Sequence, residues 1–349
     1  MDLLTDAGRG RPGSAAQPDD AAQPDDTALL DDAALLDDAG LVHEALFYRD
    51  ADDYATGIAR FLREGFELAE PALVAVPGSH VDVLRSAMGP DAEGVQFVDM
   101  AEAGRNPGRI IPAVLYAFIQ SHPGHRVRIV DEPIWPERSA AEYRAALQHE
   151  ALTNIALADH EATILCLYDC HRLNVTALAQ ARQTHPVLLE ESRRALSADY
   201  RDPRAVADES LRFLPDPPEW WGDMLVFSSA NDLPGIRQFV GGRALRAGMR
   251  ADRVTDLCLA VTEVATNTLV HTHATGVLSL WQDPETYSLV CEISDSGQLS
   301  DRLIGRIPPH WSQPHGRGLV LVNELCDLVE IPTGEIGTGT TVRLHMRLR

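Results

Sequence analysis

The sequence contains no lysine: all 30 of its basic residues are arginine. That excludes a phosphate loop of the Gly-Lys-Ser/Thr kind, whose lysine reaches the β- and γ-phosphates. It also excludes the strand lysine of eukaryotic-type protein kinases and the Schiff-base lysine of pyridoxal phosphate enzymes. Any nucleotide site in this chain must hold phosphates with backbone N–H groups, arginine and a metal ion. No run of about eighteen apolar residues occurs, which argues against a transmembrane helix. No basic start leads into an apolar block, which argues against a secretory signal. Cysteine is scarce. Cys166, Cys170, Cys258, Cys291 and Cys326 are odd in number and mostly lie in apolar stretches, the pattern of buried free thiols in a reducing cytoplasm.

What is present is acid. The net charge is -22 over 349 residues. Such a surface repels nucleic acid phosphates and anionic membranes, so neither is an expected partner. It suits a soluble protein, or one that docks on basic protein surfaces. Residues 1–42 repeat Ala-Ala-Gln-Pro-Asp-Asp and Leu-Leu-Asp-Asp and hold ten Asp against two Arg. A segment of that composition buries too little apolar surface to offset its ordering entropy, so a disordered acidic tail is expected.

Residues 43–195 alternate strand-like runs at 72–76, 127–130 and 163–168 with helical patterns at 54–68 and 140–157. Alternation of this kind predicts an α/β domain with a mostly parallel sheet covered on both faces. Pro77-Gly78-Ser79-His80 follows the strand at 72–76, where a RecA-like ATPase carries its phosphate loop; with one glycine and no lysine it is a degenerate version. Residues 196–222, rich in Asp and Pro, read as a linker. Residues 223–349 place two helices (233–247 and 251–273) ahead of strands at 276–281 and 287–294, a helix at 318–326 and two closing strands. That order predicts an α+β domain with helices on one face of a mixed or antiparallel sheet.

Four short patterns stand in this second domain. Glu263, Asn267 and His271 are spaced four apart, along one helix face. Leu257, Val261 and Val264 mark the neighbouring face that packs on the sheet. Tyr287, Leu289, Cys291 and Ile293 alternate toward one side, and Asp295 continues their parity. A carboxylate there needs a donor, and a purine exocyclic amine is one. Gly297 follows in Asp295-Ser296-Gly297. Gly316-Arg317-Gly318-Leu319 opens a helix, whose N–H groups and dipole suit phosphate. Gly337-Thr338-Gly339-Thr340 leads into the last strand. Each pattern alone is also ordinary helix-surface or turn chemistry; their order and spacing carry the argument.

In that order the four resemble the GHKL (Bergerat-type) ATPase fold of histidine kinases, gyrase-type ATPases and anti-sigma-factor serine kinases, over about residues 222–349. Val261-Thr262-Glu263-Val264-Ala265-Thr266-Asn267 is most similar to the anti-sigma kinases. The resemblance implies ATP and Mg²⁺ as cofactors. It implies Asn267 as the Mg²⁺ ligand, Glu263 as general base, Asp295 with Gly297 and Thr340 at the adenine, and Gly316 and Gly318 at the phosphates. His271 and Arg317 are further candidates for phosphate contact. Many relatives carry another glycine after Asp-x-Gly, where this chain has Gln298 and Leu299.

In the first domain the marks are His43 to Tyr48, Glu132 with Trp135, Glu150 with Asn154, Cys166 to Asp169, and His185-Pro186. Together they resemble the MEDS sensory domain of methanogen and methylotroph sensors, over about residues 43–190, which implies a small-molecule ligand. Cys166, Cys170 and His171 are open to a metal or redox reading, or to that of a buried strand cysteine followed by a loop. The whole implies a cytoplasmic protein serine/threonine kinase acting with a sigma factor or its antagonist, with homodimer formation left open. The alternatives are a sensor histidine kinase autophosphorylating at His149, and a non-catalytic ATP-dependent binding module.

Overall fold

The computed structural model describes residues 40–191, 193–217, 223–272, 275–299, 301–309, 316–332 and 339–348. The expected acidic tail falls outside these, apart from its last residues, where Leu41 and Val42 already begin the first strand.

The first domain runs β1 (Leu41–Tyr48), α1 (Ala51–Glu67), β2 (Ala72–Val76), α2 (Gly78–Met88), β3 (Val95–Asp99), α3 (Met100–Ala103), α4 (Tyr116–Ser121), β4 (Val127–Asp131), α5 (Ala140–Ala156), β5 (Ala162–Asp169), α6 (Val175–Thr184), β6 (Val187–Glu190) and β7 (Arg193–Leu196). Its sheet has the order β3-β2-β4-β5-β1-β6-β7, and only the β6–β7 pair is antiparallel. The period of two is strict. Ala45, Phe47, Ile164, Cys166 and Tyr168 face one core with α5, while Leu46, Tyr48, Leu165 and Leu167 face another with α1 and α2. Asp50 caps α1 and a Ser139–Glu142 capping box starts α5.

The expected linker is only partly one. Asp202 caps a two-turn helix, α7 (Pro203–Ser210), with proline at its first position. Val206, Ala207 and Leu211 are buried, and α7 packs on α5. Enough apolar side chains stand at helical spacing to dock the segment despite its acids and prolines.

The second domain comprises β8 (Asp223–Phe227), α8 (Leu233–Arg246), α9 (Ala251–Asn267), β9 (Gly276–Asp283), β10 (Ser288–Asp295), α10 (Gly318–Leu325), β11 (Leu328–Glu330) and β12 (Thr340–Arg347). The sheet order is β11-β12-β10-β9-β8 and every described pairing is antiparallel. Helices α8, α9 and α10 share one core with it, and Leu257, Val261 and Val264 of α9 are buried there. Tyr287 departs from the expected strand: it sits in the turn with φ 51° and is 68% exposed, so the inward series begins at Leu289.

The two domains are joined by more than chain. Asn106 Nδ2 donates to Asn323 O at 2.9 Å and to Asn323 Oδ1 at 3.0 Å. Arg109 pairs with Glu324 at 2.8 Å. Arg144 and Arg347 reach across to Glu330 and Glu142, each at 2.9 Å. Arg306, in the loop before α10, is buried. It donates to Pro107 O at 3.1 Å and to Gln148 Oε1 of α5 at 2.9 Å. Arg306→Ala removes both bonds and leaves Gln148 Oε1 buried without this donor, whereas Pro107 O keeps the Ile110 N–H. It is expected to cost about 1–3 kcal/mol, read as a lowered denaturation midpoint with unchanged far-UV circular dichroism.

Candidate functional site

Helix α9 carries Glu263 and Asn267 one turn apart, half-buried, with their carboxylate and amide turned toward α10. The contact point is Gly318, the first residue of α10. A Cβ at Gly318 would lie 2.9 Å from Glu263 Oε2 and 3.9 Å from Asn267 Oδ1. The glycine is thus required by close approach: it lets the start of α10 meet an acid and an amide at once. Gly316, with φ 95°, turns the chain into that start, and Arg317 precedes it, exposed. The start of α10, a side-chain amide and a carboxylate therefore converge at one place, a set that suits phosphate with a hard cation.

The regular α-helix stops at Asn267. A π turn, Thr268–Thr272, follows, so the expected helix to 273 is shortened, and its last residue lies outside the described ones. The cause is local. Thr268 turns its hydroxyl to Asp295 Oδ2 at 2.7 Å, and Thr272 bonds back to Thr268 O. His271 falls in this wider turn and is exposed, out of the four-residue spacing that relates Glu263 to Asn267.

Asp295 ends β10 with its carboxylate toward the helices. Oδ1 accepts from Gly297 N at 2.7 Å, and Oδ2 takes the Thr268 hydroxyl. Thr340 of β12 stands opposite it in register. Gly339, with φ 89°, precedes Thr340, and a Cβ there would run into the Asp295 carbonyl oxygen. Gly337 and Thr338 lie outside the described residues. The structure thus forms two groups: Glu263, Asn267 and Gly318 at one, Asp295, Gly297, Gly339 and Thr340 at the other. Thr268, directly after Asn267, links them. Sequence reasoning missed it, although a hydroxyl beside the helix motif was the available signal.

In the first domain the marks sort into two buried polar groups. Glu132 accepts from Tyr54 Oη at 3.1 Å and Tyr48 Oη at 3.4 Å, and meets His80 Nδ1 at 2.9 Å. His80 belongs to the first turn of α2, where the degenerate phosphate loop was expected. Asp99 lies against the same turn, 2.5 Å from where a Gly78 Cβ would stand. Two carboxylates there oppose phosphate binding. Trp135 is not part of this group; Arg138 stacks on its ring at 3.7 Å. The second group gathers His43, Glu150, Cys166 and His185. The Cys166–Cys170–His171 grouping does not form. Cys166 is buried, whereas Cys170 is half-buried beyond the strand end and His171 is exposed.

Comparison with known families supports the division. Residues 42–186 match the MEDS family, the MEthanogen/methylotroph, DcmR Sensory domain. Residues 227–346 match the histidine kinase-like ATPase domain family. No curated protein matches the chain.

The hydrogen bond to Glu132 raises the His80 pKa above its ordinary 6.5, with burial opposing. A raised folded-state value means that the pair's contribution to stability is full below the unfolded pKa and lost as pH rises through the folded one. His80→Gln is therefore expected to destabilise more at about pH 6 than at about pH 9, measured by denaturant midpoints at both.

Proposed function

Because the chain joins a MEDS sensory domain to a histidine kinase-like ATPase domain, we propose that it is a signalling regulator whose ATPase domain is a protein serine/threonine kinase of the anti-sigma type. The observation that carries this reading is the meeting of Glu263 and Asn267 at Gly318, the N-terminus of α10. Asn267 Oδ1 would hold Mg²⁺, which neutralises phosphate charge when bound. Backbone N–H groups from Gly316 to Leu319 hold the phosphates, with Arg317 alongside. Asp295, fixed by Thr268 and Gly297, accepts from the adenine amine, with Thr340 beside it. Glu263 accepts the proton of the attacking serine or threonine hydroxyl as its oxygen bonds to the γ-phosphorus and ADP departs. The partner is a sigma factor or its antagonist, docked by a basic surface on this acidic chain. No described helix is long and apolar enough to cross a membrane.

Two other readings fare less well. Autophosphorylation would need His149 as acceptor, yet it is wholly buried, 3.6 Å from Asp131. A non-catalytic module would have no use for a carboxylate beside the phosphate-binding helix start.

The sensory domain controls the site through α5. Gln148 holds Arg306 in the loop before α10, and Asn106 holds Asn323 within α10. Within the sensory domain, the carboxylate oxygens of Asp131 and the ring nitrogens of His149 are buried without hydrogen-bond partners. Calorimetric titration with Mg²⁺-ATP tests the first half of the proposal: Asn267→Ala should bind at least about tenfold more weakly, a loss of about 1.4 kcal/mol. Glu263→Gln should bind ATP as the parent does but transfer label from γ-labelled ATP to an antagonist about 10²–10⁴-fold more slowly. Unchanged transfer in Glu263→Gln would remove its role as base.

A further inference from the structure

Four residues far apart in sequence meet in the core of the sensory domain. His43 lies on β1, Cys166 on the neighbouring β5, Glu150 on α5, and His185 just after α6. Their exposures are 1%, 1%, 0% and 0%. His43 Nε2 is 3.2 Å from Cys166 Sγ and 3.3 Å from Glu150 Oε2. Glu150 Oε2 is 3.4 Å from Cys166 Sγ and 3.4 Å from His185 Nε2.

The surrounding hydrogen bonds decide where the protons are. Asn154 Nδ2 donates to Glu150 O at 3.1 Å and Thr184 O at 2.9 Å, so its Oδ1 faces His43 Nδ1 at 3.2 Å. The His43 proton therefore sits on Nδ1, and Nε2 presents a lone pair. His185 Nδ1 faces the carbonyl of Ala181 at 2.8 Å, which fixes the same tautomer. Its Nε2 has no hydrogen-bond partner. Glu150 Oε1 takes the Tyr168 hydroxyl at 2.6 Å, leaving Oε2 inward. Two imidazole lone pairs, a carboxylate oxygen and a sulfur thus point at one another, with a single thiol proton among them. Such an arrangement repels itself unless a cation is shared.

We propose that His43, Glu150, Cys166 and His185 bind one Zn²⁺ ion. Tetrahedral bonds of about 2.0–2.3 Å set ligand atoms about 3.4 Å apart; four of the six separations run from 3.2 to 3.4 Å, and all six lie within 4.8 Å. Two imidazoles, one thiolate and one carboxylate oxygen are a borderline donor set that suits zinc, and four protein ligands close the site. Asn154, the Ala181 carbonyl and Tyr168 orient three of the ligands from behind. Binding converts the Cys166 thiol to thiolate and releases its proton to solvent. The site pins β1, β5, α5 and the end of α6 together, and it does not depend on the kinase reading.

Elemental analysis of the full chain, purified under reductant from zinc-supplemented culture, should find one zinc per chain. Metal-stripped protein titrated with Co²⁺ should show the intense visible bands of four-coordinate cobalt and a near-ultraviolet thiolate band. Cys166→Ser should lose the thiolate band, and Asn154→Ala should bind about 10–100-fold more weakly. If Cys166→Ser does not fold, the parent spectrum still decides: cobalt uptake without a thiolate band overturns the proposal. So does a folded, stripped parent that takes up neither metal and gains no thermal stability from either; the four residues are then a buried histidine–carboxylate ion pair.

Discussion

Helix α5 is buried along most of its length, from Ala145 to Thr153 without a break. A helix so placed offers its polar side chains no water, so each needs a protein partner or a ligand. Gln148 takes Arg306 from the loop before α10, Glu150 turns to His43 and His185, and Asn154 braces His43. Its first turns meet β11 and β12 of the other domain through Arg144 and Glu142. The same helix therefore carries part of the sensory core and part of the surface on which the ATPase domain rests.

The ATPase site depends on a second close contact, that of α9 with the start of α10. Glycine at 318 lets the two approach until Glu263 and Asn267 border the helix N-terminus. In a chain without lysine, backbone N–H groups, arginine and a metal ion are what remain to hold phosphate charge. The far end of α10 is tied to the sensory domain by Asn106, Arg105 and Arg109.

Much of this was legible in the residues. The apolar runs at 72–76 and 163–168 and the helical pattern at 140–157 marked three of the sensory elements almost to the residue, because strands buried on both faces read as continuous apolar stretches. The ordered motifs around Glu263, Asp295 and Gly318 pointed to the second domain. Three things were not legible. The π turn after Asn267 arises from the Thr268–Asp295 contact, which spans two elements. Helix α7 hid behind acids and prolines, because its apolar residues gain a partner only when α5 is in place. The cluster of His43, Glu150, Cys166 and His185 is assembled by a parallel sheet whose pairing no local pattern specifies; the nearby Cys170 and His171 drew attention instead.

The central claim is that nucleotide binds between α9, the end of β10 and the start of α10. Hydrogen–deuterium exchange of the full chain with and without Mg²⁺-ATP tests it most directly. Slowed exchange at residues 263–272, 295–297 and 316–319, with no change at residues 77–80, is the predicted result. Protection at residues 77–80 alone, or none at either place under saturating nucleotide, would contradict it.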